Sequence, residues 1–154
     1  MLVAYKYRIQ PNTSHSQFLN RNFGCVRFVW NSMTAAFNSW SRVGPNPVVN
    51  EAILKADPNN AFISEAISYA LQQKRIDFES AKSQFFDPKR KKKLGKMRFK
   101  IKGVAKDSFR IPFQALRAGA IDLDNGRITL PKMTPMKMIV DRPFRGQPRN
   151  VTVS

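Results

Sequence analysis

A chain of 154 residues with 42% hydrophobic content and 12 Phe is long and apolar enough to bury the core of one domain, which excludes simple disorder. Its formal net charge of +17 calls for a polyanionic partner. A single cysteine, Cys25, excludes a disulfide or a cysteine-built zinc site, and no apolar run reaches the roughly 18 residues that span a bilayer, so a cytoplasmic protein without a membrane partner is expected.

Residues 2–10 (LVAYKYRIQ) alternate loosely, are rich in Val, Tyr and Ile, and stop at Pro11, which predicts a strand. Thr13 or Ser14 then caps a helix. Leu19, Phe23, Val26, Trp30, Met33, Phe37 and Trp40 recur at steps of three and four, the mark of one long amphipathic helix or of two hinged at Gly24. Gly44-Pro45-Asn46-Pro47 ends it. A short helix over Val49–Lys55 and a turn at Asp57-Pro58-Asn59-Asn60 lead to a second strong helix from about Ile63 to Phe86. Its buried face holds Ile63, Ile67, Ala70 or Leu71, Phe78, Ala81 and Phe85, and Asp87-Pro88 closes it.

Beyond residue 96 the chain reads as short strands: Met97–Ile101, Ser108–Phe113, Ala120–Asp124, Arg127–Leu130, Lys137–Asp141 and Asn150–Val153. Asn125-Gly126 predicts a two-residue hairpin, because both residues tolerate positive φ. The order is strand, helices, strands. It implies an α+β fold whose first strand is separated from the others by a helical insertion.

Charge is unevenly distributed. Residues 1–80 carry 8 Lys+Arg against 5 Asp+Glu, a net +3, whereas residues 81–154 carry 19 against 5, a net +14. Nine of the fourteen residues from Lys89 to Lys102 are basic: Lys89, Arg90, Lys91, Lys92, Lys93, Lys96, Arg98, Lys100 and Lys102. Such a run contacts nucleic-acid phosphates and gains affinity from counterion release. On the second helix Ser68, Tyr69, Gln72 and Gln73 lie within one turn. A glutamine amide can pair with adenine and a tyrosine ring can pack on a base, although a solvated polar face is the ordinary account of such residues. On the first helix Arg21, Arg27 and Asn31 flank the apolar stripe; Arg27 and Asn31 are four apart and could share one phosphate.

Catalysis is poorly served. Asp122 and Asp124 are the only close carboxylate pair, and beside a hairpin turn they read as turn chemistry. His15 is the only histidine, at a helix start, and Cys25 reads as small core filler. No triad or converging set of acids is visible, so no metal, no cofactor and no self-sufficient enzyme is expected.

The segments AYKYRIQP (4–11), FLNRNFGCVRFVWN (18–31), FISEAISYALQQKRIDFESAKSQFF (62–86), GKMRFKIKG (95–103), GRITLPKM (126–133) and RNVTVS (149–154) together resemble the TnpB (OrfB) proteins of bacterial insertion sequences, relatives of type V CRISPR effectors. The resemblance covers almost the whole chain. It implies a wedge-type β-barrel, residues 1–11 and 96–154, interrupted after its first strand by a helical recognition domain, residues 12–95. It further implies an RNA-guided DNA endonuclease, with guide RNA and target DNA as partners and a short flanking motif read by the protein. Members read that motif partly from the helix matched by Ile67–Gln72. Tyr69 and Gln72 fit the pattern, while Ser68 stands where relatives can carry lysine.

Relatives continue into further wedge strands, a RuvC-type nuclease domain with three carboxylates, and a four-cysteine zinc ribbon. As a complete protein, 154 residues lacking these would bind without cutting, and Val151–Val153 would be an open strand edge. The leading expectation is thus a guide-RNA-holding and DNA-reading module. The alternatives are a truncated transposase remnant, a generic structural RNA-binding protein, and a nuclease working through Asp122 or Asp124.

Overall fold

A computed structural model describes residues 1–41, 43–90 and 96–154. The chain begins with a short strand, β1 (Arg8–Gln10), and Pro11 separates it from a 27-residue helix, α1 (Thr13–Ser39). Asn12, not Thr13 or Ser14, is the N-cap. Its side chain accepts from the His15 amide at 2.8 Å, and its own amide donates to His15 Nδ1 at 3.3 Å. With Nδ1 accepting, the ring proton sits on Nε2, which reaches Thr134 Oγ1 at 2.7 Å. The single histidine therefore starts a helix and ties it to the strand-rich half.

α1 runs unbroken through Gly24, because Leu19, Val26, Val29, Met33 and Phe37 are all buried on one side of it. That burial outweighs the conformational freedom of one mid-helix glycine, about 1 kcal/mol. A short helix, α2 (Glu51–Ala56), follows. The expected turn at Asp57 opens a 3₁₀ segment, Pro58–Glu65, so the next helix, α3 (Ser68–Phe85), starts later than its apolar pattern indicates. No side chain caps α3 from its N-cap position. Instead the buried Asn22 of α1 accepts from the Ile67 amide at 2.9 Å. Arg75 Nε bonds both carboxylate oxygens of Glu51, at 3.1 and 3.0 Å, fastening α2 to α3.

The carboxy-terminal half supplies β2 (Phe109–Pro112), β3 (Ile121–Asp122), β4 (Arg127–Ile128), β5 (Met136–Ile139) and β6 (Asn150–Val153). All pairings are antiparallel, in a four-stranded sheet of order β1-β5-β4-β3 and a two-stranded sheet of β2 and β6. The first strand is shorter than residues 2–10, but it does pair across the helical insertion, with Arg8 opposite Ile139. β5 alternates as a half-buried strand should: Met136 and Met138 face the core, Lys137 and Ile139 face out.

Two readings of this half are corrected. Ile121 pairs with Ile128 and Asp122 with Arg127, so the β3–β4 loop has Leu123 to Gly126 in it and is not a two-residue hairpin. Within it Gly126 takes φ 61° while Asn125 does not turn positive. The second correction is Met97–Ile101, which joins no sheet. One core joins helices and strands, with Phe37, Ile63, Ile67, Leu71, Phe109, Ile111, Leu130 and Met136 almost wholly enclosed.

Candidate nucleic-acid interface

Met97–Lys100 is extended, and side chains of α1 take the place of a neighbouring strand. Asn31 Nδ2 donates to the Lys100 carbonyl at 2.8 Å, and the Lys100 amide donates to Asn31 Oδ1 at 2.7 Å. Asn38 repeats this with Met97, at 2.9 and 3.0 Å. Trp30 Nε1 donates to the Arg98 carbonyl between them at 2.9 Å. The spacings agree: seven helical residues rise about 10.5 Å and three extended residues about 10 Å. A carboxamide offers one donor and one acceptor, as a strand backbone does, so two asparagines at this interval can hold an antiparallel partner.

This clamp fixes the backbone of the basic segment from Met97 to Lys100. Met97 is buried, Lys96, Arg98 and Lys102 are exposed, and Lys100 is half-buried with Nζ 4.8 Å from the Trp30 ring centre. Phe99 and Ile101 are exposed among these cations, and the Phe99 ring gives the strip a stacking surface as well as charge. Lys89 and Arg90 are exposed just past α3. Lys91, Lys92 and Lys93 lie outside the described residues.

On α3 the solvent meets Tyr69 and Gln72, with Gln73 and Ser68 half-buried. Ser68 Oγ accepts from Lys55 Nζ at 3.3 Å, so a lysine ammonium stands beside this position although the residue itself is serine.

The candidates on α1 divide. Arg21 is exposed, with only a loose 4.0 Å approach to Glu65. Within the chain the Arg27 guanidinium is paired with Asp107 at 2.7 Å, and both ends of the Asn31 amide are occupied by Lys100. Sequence reasoning placed the two on one face correctly, but their partners come from residues 100 and 107, out of view of a helical pattern.

It also missed Lys74 and Arg110. Asp77 Oδ1 accepts from Arg110 Nη2 at 2.6 Å, and Asp77 Oδ2 lies 3.5 Å from Lys74 Nζ. Lys74 is only 6% exposed. Burial pushes its pKa below the ordinary lysine value and Lys100 adds to this, while Asp77 opposes it. The Lys74–Asp77 spacing on α3 was visible in sequence; Arg110, from β2, was not.

Asp122 is turn chemistry, as expected. Its carboxylate accepts from Asn125 Nδ2 at 2.8 Å and from the Asn125 amide at 3.0 Å, and these bonds hold its pKa below the ordinary aspartate value. Asp124 is exposed. Among the described residues no three of His, Cys, Asp and Glu gather as a metal-binding group, and no helix is long and apolar enough to cross a membrane.

A strand, a long helix packed against a second, and a clamped basic strip make up the candidate interface, and sequence comparison adds to it. Residues 1–40 match the OrfB IS605 family model, described as a helix-turn-helix domain; in this structure they form β1 and the uninterrupted α1. The chain is 32% identical over 159 aligned positions to InsQ of Escherichia coli K12, which is named for a proposed RNA-guided DNA endonuclease activity. It is 30% identical over 162 positions to a Streptomyces pristinaespiralis protein named in the same way. These alignments cover 99% and 98% of this chain but 37% and 38% of the relatives, so the chain spans well under half their length. Over nearly its whole length the chain is thus similar to proteins of the OrfB (TnpB) family of insertion sequences.

Proposed function

We propose that these residues are the nucleic-acid-binding amino-terminal portion of a TnpB-like RNA-guided DNA endonuclease. In this reading the strip from Lys89 to Lys102 holds the phosphate backbone of a structured guide RNA, and Tyr69 and Gln72 of α3 face the DNA that flanks the target. Residues 1–11 and 96–154 make the wedge-type barrel, and residues 12–95 the recognition insertion. The observation that carries the proposal is the clamp of Asn31 and Asn38, which holds the backbone of the strip at Met97 and Lys100, with Lys96, Arg98 and Lys102 exposed to solvent. A preorganised row of cations loses less on binding than a mobile tail.

The same residues bind and do not cut in this reading. Glu51, Asp77, Glu79 and Asp107 are committed to Lys or Arg partners, which disfavours their holding catalytic Mg²⁺. The decisive experiment is to purify the chain from cells expressing its surrounding locus and sequence the RNA that comes with it. One enriched transcript from the element's own end is expected. Scattered RNA that washes off in moderate salt would overturn guide recognition and leave charge alone.

A further inference from the structure

We infer that Lys74, Lys100 and Arg110 form a binding site for a single phosphate group where α1, α3 and β2 meet. The assignment of that phosphate to a nucleic-acid backbone rests on the proposed function; the site itself does not.

Two cations share one acid here, and a third, Lys100, stands near enough to Lys74 to act on its ammonium. Asp77 commits one carboxylate oxygen to Arg110 at 2.6 Å and the other to Lys74 at 3.5 Å. Lys100 makes no ion pair among the described residues; its ammonium faces the Trp30 ring, which lies 4.8 Å from it and 5.9 Å from Lys74 Nζ. The local excess is two positive charges, with Lys74 almost fully enclosed. Like charges held together in a poorly solvated place repel, and the depressed ammonium of Lys74 reflects burial and then Lys100. A donor is also left over: Arg110 Nε is buried with no hydrogen-bond partner. Buried donors are normally satisfied, so an unmatched one beside surplus positive charge calls for an acceptor.

The chemistry favours phosphate. Arg110 already lends Nη2 to Asp77, so a planar carboxylate cannot take the guanidinium fork cleanly. A tetrahedral oxyanion can accept from two ammonium groups in different directions and, once the part-exposed guanidinium turns to it, from Nε. The site is open on one side, since the Arg110 and Asp77 side chains are each 35% exposed. Lys100 is also held in place to meet such an anion. Asn31 binds both its amide and its carbonyl, so its ammonium is presented from a fixed backbone.

Two arms test the site on the full chain. In the first, thermal unfolding is compared in inorganic phosphate and in chloride at equal ionic strength. Phosphate is expected to raise the melting temperature of the wild type and not that of Lys100→Gln. In the second, a single-stranded oligonucleotide is titrated across salt concentrations with the wild type, Lys100→Gln, Lys74→Met and a Lys91, Lys92, Lys93 triple-alanine variant. Loss of one phosphate contact should lower the slope of log K against log salt by about 0.7 in each single variant.

Lys100 is half-buried and makes no ion pair among the described residues, so Lys100→Gln remains informative if Lys74→Met folds poorly. Phosphate stabilisation with unaltered slopes would support the site and overturn its nucleic-acid source. Equal phosphate stabilisation in the wild type and Lys100→Gln, with slopes unchanged in both single variants and lowered only in the triple variant, would overturn the site and leave the proposed function standing. Absence of any oligonucleotide binding by the wild type would overturn the proposed function, and the phosphate arm alone would then decide the site.

Discussion

Asn31 and Asn38 stand seven residues apart on α1, and each uses both ends of its amide to hold one residue of the same extended segment, Lys100 and Met97 respectively. Alanine at either position removes two hydrogen bonds and should cost about 1–2 kcal/mol, read from urea unfolding. The amides of Met97 and Lys100 should exchange faster with solvent in the matching variant. Asn38→Asp keeps the acceptor but loses the donor, so the Met97 amide should stay protected more than in Asn38→Ala. Equal exchange in the two would argue against the paired geometry.

Arg27 separates a structural cation from a nucleic-acid contact. Its side chain is 17% exposed and paired with Asp107, whose side chain is 42% exposed. Arg27→Met should cost about 1 kcal/mol after allowance for solvent screening of the pair. The salt slope for oligonucleotide binding should be unchanged, because the guanidinium is engaged within the protein. A lowered slope at unchanged stability would place Arg27 on a phosphate.

Two glycines should respond in opposite directions. A methyl group at Gly24 would meet only the end of Arg27, at 3.9 Å, inside a regular helix. Gly24→Ala should therefore stabilise the chain by roughly 0.5–1 kcal/mol. At Gly126 φ is 61°, and a Cβ would lie 2.8 Å from the Met138 carbonyl oxygen, which itself belongs to β5. Gly126→Ala should cost about 1–2 kcal/mol from the left-handed backbone alone, with the backbone collision adding to it. Melting temperatures of the two variants check both signs.

Lys74 gives a pH signature. Its pKa in the folded chain lies below 10.5, chiefly through burial, so between that lowered value and 10.5 the unfolded chain binds more protons. Stability should rise with pH across that window as the buried ammonium is relieved of its charge. Subtracting the profile of Lys74→Met isolates this contribution, since Asp77 keeps Arg110 as a partner. The difference should climb on approach to pH 10.5. A flat difference would show that Lys74 is better solvated than its 6% exposure implies.

Much of the architecture was legible because it follows from local rules. The three-and-four spacing from Leu19 to Phe37 marked α1, and the apolar residues from Ala70 to Phe85 marked the buried side of α3. Strands at Phe109–Pro112, Met136–Ile139 and Asn150–Val153 fall within or beside the alternating runs that predicted them. The misreadings share a cause. Asn125-Gly126 carries a hairpin signature, but Asp122 caps Asn125 and widens the loop. Met97–Ile101 has strand composition, yet its backbone is satisfied by asparagines near the far end of α1. Arg27 and Asn31 share a face as predicted, while their partners lie some eighty and seventy positions away. Side chains serving distant backbone leave no periodic trace. The basic strip was visible as composition; the means of holding it was not.

The pairing of β1 with β5 also governs when the sheet can form. Tyr7, just ahead of β1, donates to the carbonyl of Arg142, 135 residues later. At about 5–20 residues per second, a ribosome delivers β1 on the order of ten seconds before β5 exists. Meanwhile α1 and α3 can pack against each other through shorter loops, which close at lower entropic cost. The first strand synthesised is therefore among the last to be paired, and the helical core assembled in the interval is the surface on which the sheet closes.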